Sequence, residues 1–279
     1  MTDTPRQLLT DRVAVVTGGG GGIGAATAEM LAQHGAHVVI AEIDPGLAEA
    51  TVATIVGAGA SAEAIVTDVR DPDGVEALAS RVLEAHGQVD VLVNNVGHWV
   101  FTAKRFVDGN EDLWTQLHET NFFHVLRVTH AFLPSMLERH SGSIINVSSI
   151  EGMRGYPADP VYGAYKAAVV QFTRCLAVQV GNEGVRVNGI APDVTESIQV
   201  PYSQWLTPDQ ALLWPQWVPV GRMGVPKDQA HVVLFLASDL SGFVTGHTIP
   251  TDGGTGAAGG WFRSASRPGS LWTNRPINP

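Results

Sequence analysis

Cysteine is almost missing from this chain. The 279 residues contain one, Cys175, so no internal disulfide can form, and its apolar, helix-like surroundings predict a buried thiol in a reducing compartment. Positive charge is also scarce: 17 Lys and Arg face 27 Asp and Glu, giving a net charge of −10 and a pI near 5.4. That excludes the basic footprint expected of nucleic-acid or anionic-membrane binding. No apolar run is long enough to span a bilayer, and the opening MTDTPRQLLTDR lacks the apolar centre of a signal peptide. The expectation is a cytoplasmic protein with a small-molecule substrate and neither nucleic-acid nor membrane partners. With 44% hydrophobic and 16% charged residues, the composition is that of a globular chain with an ample core.

What the chain does have is glycine, concentrated at one point. In VAVVTGGGGGIG, residues 13–24, an apolar run breaks into Thr17 and five consecutive glycines, followed by AATAEMLAQHG with helical spacing and a glycine stop. This predicts strand, tight turn and helix, with a helix N-terminus able to attract phosphate. Strand-like and helix-like segments alternate from there on. Asp44 and Pro45 open the second helix, and the stretch DLWTQLHETNFFHVLRVTHAFLPSMLERH is too long for one unbroken helix, with Pro134 the expected point of division. The alternation specifies an α/β fold, a doubly wound parallel sheet of about seven strands in a single domain over residues 1–254. Residues 255–279, rich in Gly, Ser, Pro and Arg, read as an extended C-terminal extension.

Glu42 lies at the end of the second strand, 20 residues after Gly22, where a carboxylate accepts hydrogen bonds from a ribose diol and repels a 2′-phosphate. No Lys or Arg occurs in residues 13–35 to offset it. NAD(H) is therefore expected in preference to NADP(H).

Thr17-Gly18-x-x-x-Gly22-Ile23-Gly24, Asn94-Asn95-Val96-Gly97, Asn121 in ETNFFHV, Ser149, Tyr162-Gly-Ala-Tyr-Lys166 and the late TDGG follow one another at fixed intervals. The set resembles the short-chain dehydrogenase/reductase family over roughly residues 9–254. That resemblance implies a Rossmann-type fold and an alcohol dehydrogenase or carbonyl reductase that transfers hydride. It implies a catalytic tetrad of Asn121, Ser149, Tyr162 and Lys166, with Asn121 positioning a water relay. It also implies cofactor contacts at Gly18, Gly22, Ile23, Gly24, Glu42, Asp68, Val69, Asn95, Gly97, Tyr162, Lys166, Pro192, Thr195 and Ser197. A homotetramer, or a dimer, is expected on the same ground, and no metal is.

The chemistry of the residues agrees. Hydride transfer to a carbonyl leaves negative charge on oxygen, which must be stabilised and protonated. A tyrosine with a pKa near 10 is a poor base at neutral pH, and a neighbouring cation is expected to lower it. Tyr162 and Lys166, four apart, share one helix face; Val169 follows Tyr165 at that interval and Pro160 follows Tyr156. Ser149 can hydrogen-bond the substrate oxygen, whereas Ser148 would turn toward the core. The four-residue Tyr-to-Lys interval favours carbonyl chemistry over reduction of an enone double bond, and the presence of both residues disfavours a non-catalytic dinucleotide sensor.

Departures and the substrate side complete the reading. Asp193 stands where the family commonly has glycine, so either the turn changes shape or Asp193 makes a hydrogen bond that glycine cannot. Three glycines, Gly19 to Gly21, fill the variable positions of the fingerprint, which predicts a slack loop. Glu151 could meet the substrate but is expected to point to water. His98, Trp99 and Phe101 on one side, and Tyr202 and Trp205 within a lid over residues 194–224, are expected to join Ser149 and Glu151 around the substrate. Such an apolar pocket favours a bulky cyclic, steroid-like, terpenoid or aryl alcohol or ketone over a polyol or an acyl thioester. The aromatics of the extension, Trp261, Phe262 and Trp272, are expected to pack rather than dangle.

Overall fold

The computed structural model describes residues 7–98, 105–260, 262–263 and 272–273. Seven parallel strands form its sheet: β1 (Val13–Thr17), β2 (His37–Glu42), β3 (Ser61–Val66), β4 (Val91–Asn94), β5 (Gly142–Val147), β6 (Val185–Pro192) and β7 (Thr248–Thr251), in the order β3-β2-β1-β4-β5-β6-β7. The order reverses between β1 and β4. The crevice outside the carboxyl ends of strands at such a reversal is where open α/β sheets bind ligands.

Helices cover both faces: α1 (Gly22–Gln33), α2 (Pro45–Gly57), α3 (Pro72–His86), α4 (Glu111–His118), α5 (His124–Glu138), α6 (Pro160–Val180), and, after the lid, α10 (Pro226–Ala237). Within the lid lie three single-turn helices, α7 (Tyr202–Trp205), α8 (Pro208–Ala211) and α9 (Trp214–Trp217). An Asp-Pro pair opens α2, α3 and α6, with Asp44, Asp71 and Asp159 each accepting from first-turn amides while proline takes the position that needs no donor. One apolar core holds α1 and α10 against β1 and β2; the other holds α3, α5 and α6 against the opposite face. Strands buried on both faces explain the uniform apolar runs of β1 and β4.

Between the layers runs a polar ladder. Asn94 Nδ2 donates to Thr129 Oγ1 (3.0 Å) and Asn146 Oδ1 (2.9 Å), and Asn146 Nδ2 donates to Thr173 Oγ1 (2.9 Å). These bonds tie β4 and β5 to α5 and α6, which carry the site residues. Buried amides so linked fix a single register, because a slip would strand them without partners.

Three expectations change. The long helical stretch breaks at a π-helical segment, Glu119–Phe123, and α5 runs on through Pro134. Pro134 and His130 both lie on the exposed face, so the carbonyl that loses its amide partner meets water. Cys175 is exposed, its Sγ accepting from Gln171 Nε2 at 3.4 Å. The C-terminal extension begins with a helical turn, α11 (Thr255–Ala258), and continues in a two-stranded antiparallel ribbon, β8 (Phe262–Arg263) with β9 (Trp272–Thr273), rather than as extended chain throughout. Trp99, Phe101 and Trp261 lie outside the described residues. No helix among the described residues is long and apolar enough to cross a membrane.

Candidate active site

A cleft of about 650 Å³ opens at the carboxyl ends of the strands. At its glycine end, Gly18 (φ 63°) and Gly22 (φ 53°) adopt the left-handed conformation that side chains resist. The loop is not slack. Glu42 Oε2 accepts from the Gly20 amide at 3.0 Å, while Oε1 accepts from the amides of Ile43 (2.9 Å) and Asp44 (3.3 Å). A Cβ on Gly20 would come within 2.8 Å of Glu42 Cγ and of Leu47 Cβ, and one on Gly21 within 2.7 Å of Ile198 Cδ1. The variable glycines therefore let Glu42 and the lid close down on the loop. Gly24 lies beneath the loop rather than on the cleft wall, since a Cβ there would overlap the Gly18 carbonyl.

Helix α1 follows Gly21 at its N-cap, with no side-chain cap and no acidic residue in its first turn, which leaves first-turn amides available to an anion. Asn95 Nδ2 braces the turn through the carbonyls of Thr17 and Gly18, both at 3.1 Å. Glycine turn, amide-rich helix end and cleft-lining carboxylate together fit a dinucleotide. Ile23 and Val69 line the same end of the cleft. Asp68 lines it too, but its carboxylate is held by Arg70 through Nε at 2.9 Å and Nη2 at 2.7 Å, which keeps its pKa below the usual carboxylate range. Arg70 is a cation that inspection of residues 13–35 alone could not find.

At the other end lies the tetrad. Asp159 caps α6 by accepting from the amides of Val161 (3.2 Å) and Tyr162 (3.1 Å), which sets the rotation of the turn bearing Tyr162. Ser149, beyond β5, lines the cleft with Tyr162, and its Oγ accepts from the Glu151 amide at 3.2 Å. Ser148 turns inward as expected and donates to the Lys166 carbonyl at 2.7 Å. Lys166 Nζ donates to the Val147 carbonyl at 3.2 Å and stands 5.8 Å from the centre of the Tyr162 ring. Gly97 makes room for it, because a Cβ there would come within 2.6 Å of Nζ and 3.3 Å of Asn121 Oδ1. Asn121 itself is fully buried and does not line the cleft. It donates to the carbonyls of His98 (2.7 Å) and Leu117 (3.1 Å) and accepts from the His98 amide (3.0 Å).

The electrostatics reverse one expectation. Burial raises the Tyr162 pKa well above the usual phenol value, against the lowering effect of the Ser149 hydrogen bond. Burial also pushes Lys166 down to about 8. A partly discharged amine that donates to a backbone carbonyl does not compensate for removing a phenolate from water. Tyr162 in this state is a phenol, a proton donor.

On the substrate side, Asp193 resolves the two alternatives in favour of a new hydrogen bond. It keeps a negative φ, accepts from Thr255 Oγ1, and pairs with Arg154 Nη2 at 3.1 Å. Arg154 also holds Glu151 at 2.8 Å. The Glu151 side chain is only 14% exposed, so it faces Arg154 and the cleft and not bulk water. Pro192, Thr195 and Ser197 follow along the same wall; Thr195 Oγ1 accepts from Gln229 Nε2 at 2.9 Å. Tyr202, with Trp205 and Trp214 at 6.0 and 5.5 Å between ring centres, forms an aromatic corner of the lid, and His98 lies opposite. Among the described residues, the cleft thus brings together every predicted site residue except Gly24 and Asn121, which lie behind its wall. Arg70 and Arg154 were missed because their carboxylate partners lie close in the fold, and spacing alone does not announce such pairs.

Residues 18–256 match the family model described as Enoyl-(Acyl carrier protein) reductase. The chain is 34% identical over 248 residues to a 3-oxoacyl-(acyl-carrier-protein) reductase of Chlamydia muridarum, covering 88% of this chain and 98% of that one. It is 35% identical over 250 residues to 2-(S)-hydroxypropyl-CoM dehydrogenase 3 of Xanthobacter autotrophicus, covering 88% and 97%. Among solved structures, levodione reductase superposes with a TM-score of 0.83 at 32% identity, covering 90% of this chain and 99% of that one.

Proposed function

The chain belongs to the short-chain dehydrogenase/reductase family of oxidoreductases, and from that premise we propose that it interconverts a ketone and a secondary alcohol at the Tyr162 end of the cleft. The observation that carries the reading is the convergence of Ser149, Tyr162 and Lys166, with Lys166 Nζ 5.8 Å from the centre of the Tyr162 ring, at the far end of a cleft that opens on a dinucleotide-type glycine turn. When bound, a nicotinamide dinucleotide supplies or accepts the hydride. Gly18, Gly22, Ile23 and the first amides of α1 would hold its pyrophosphate, Glu42 its adenine ribose, and Lys166 with Tyr162 the nicotinamide side. In the reductive direction Ser149 donates a hydrogen bond to the ketone oxygen and Tyr162 delivers the proton. Lys166, neutral or charged near pH 8, sits where it can return that proton, and Asn121 holds the strap of His98 against it.

NAD(H) is proposed in preference to NADP(H). Glu42, anchored by three amides, would oppose a 2′-phosphate, and Arg70, the cation nearest that end, is already committed to Asp68.

For substrate we place a 3-oxoacyl thioester or a similar chain-borne ketone first. The relatives named for acyl-carrier and coenzyme-M substrates support it. A cyclic ketone is the second reading, favoured by the aromatic corner at Tyr202 and by the likeness to levodione reductase. Initial rates with acetoacetyl-coenzyme A, a cyclic diketone and a polyol, each with NADH and NADPH, test all three statements. Highest kcat/KM for the thioester with NADH is expected. Preference for the cyclic ketone selects the second reading, and a polyol or NADPH preference overturns the pocket or cofactor argument. A homotetramer is proposed alongside, supported by Val178 on α6 (85% exposed) and Phe243 (106% exposed), large apolar groups that association would cover.

A further inference from the structure

At the amino ends of β2 and β3, opposite the cleft, three donors converge from three elements. His37 opens β2, Glu63 lies in β3, and His86 closes α3. One ligand atom from each lies within 4.8 Å of the others. His86 Nε2 is 2.7 Å from Glu63 Oε1, and His37 Nε2 is 3.6 Å from the same oxygen. The two imidazole rings are 4.5 Å apart, tilted by 40°.

We propose that this cluster binds one divalent cation of the zinc class, through His37 Nε2, His86 Nε2 and Glu63 Oε1, with water completing the shell. Two imidazoles and a carboxylate with an open position form a donor set that zinc accepts. The state of His37 points the same way. Its Nδ1 is engaged at 2.7 Å by Ser61 Oγ, the outer-shell contact that fixes a ligating histidine's orientation. Its Nε2 is buried and lacks a hydrogen-bond partner although it faces a carboxylate. A cation between them supplies that missing partner. Zinc–ligand bonds of about 2.0–2.1 Å in a tetrahedron place ligand atoms roughly 3.3 Å apart. The 3.6 Å pair is already near that value, and the 2.7 Å pair must open by about half an ångström as the His86–Glu63 proton leaves. Arg81 lies 3.7 Å from the other Glu63 oxygen, Oε2, and is 61% exposed, so it leaves Oε1 open.

Such an ion would pin the β2–β3 edge to the end of α3. Being remote from the cleft, it would act on stability and not on turnover.

The test is calorimetric titration of tag-free, full-length protein with zinc sulfate, paired with thermal unfolding. Expected is one equivalent bound and a higher melting temperature. His86→Gln and Glu63→Gln should each weaken that equivalent at least ten-fold with unchanged turnover, while Cys175→Ser should keep it. Cobalt should give the visible absorption bands of a four-coordinate site in the wild type and not in His86→Gln. Absence of zinc binding, or the same equivalent in His86→Gln, overturns the proposal and leaves the cluster an ion pair. If His86→Gln fails to fold, Glu63→Gln decides on the same readouts.

Discussion

Lys166 shows most plainly how a single residue trades stability for chemistry. Its pKa falls from 10.5 to about 8 on burial, so between those values the unfolded chain holds the extra proton and stability rises with pH. Below about 8 the charged side chain opposes folding. Lys166→Met should therefore stabilise the cofactor-free protein at pH 7, by about 1–3 kcal/mol once the lost bond to Val147 is counted, while removing most turnover. Urea unfolding measures the first effect and steady-state rates the second. His124, in the core beside the same lysine, behaves alike in acid. Burial, then the charge of Lys166, lowers its pKa from 6.5 to about 3, so stability is lost as pH falls below 6.5, when the unfolded imidazole protonates first. His124→Phe should lose about 2 kcal/mol less than wild type between pH 7 and pH 5 by urea unfolding. For Glu42, Glu42→Gln should narrow the preference for NADH over NADPH by about ten-fold in kcat/KM, a change of about 1.4 kcal/mol. That Tyr162, Ser149 and Glu42 would line one cleft was legible because residue type and interval together imply a site. The direction of the Tyr162 shift was not, because it depends on how dry the cleft is.

At the scale of elements, strands and helices followed from apolar runs, caps and glycine stops, and the parallel sheet from their alternation. The break in the long helix was placed wrongly. A proline is a visible helix breaker, but Pro134 lies where water serves the orphaned carbonyl, whereas the π-helical segment at 119–123 inserts a residue without any special side chain. Its trace in the sequence is Asn121, a polar residue on a side that must be buried. That segment presents Asn121 to the His98 strap through three hydrogen bonds. Asn121→Ala should cut turnover at least ten-fold, since the strap and Gly97 position Lys166. Pro134→Ala should change stability by no more than about 1 kcal/mol by urea unfolding. A destabilisation of several kcal/mol in the proline variant would return the break to Pro134.

For the whole molecule, two cores on either side of one sheet, joined by the Asn94–Asn146 ladder, make cooperative unfolding the expectation. The sheet order sends the ends of β1, β4, β5 and β6 to one edge, so residues as distant in sequence as Gly18 and Thr195 share a cleft. Chain order and strand type implied that gathering; the ion pair of Arg154 with Asp193 did not show in it, because it joins loops 39 residues apart in sequence. Proton delivery by Tyr162 is proposed to accompany hydride transfer in this cleft, and Tyr162→Phe is the sharpest test of it. Turnover with the best substrate and NADH binding by fluorescence are measured on the same preparation. Expected are an NADH affinity within about three-fold of wild type and a rate lower by about 10²–10⁴-fold; a rate near that of wild type would overturn proton delivery by Tyr162.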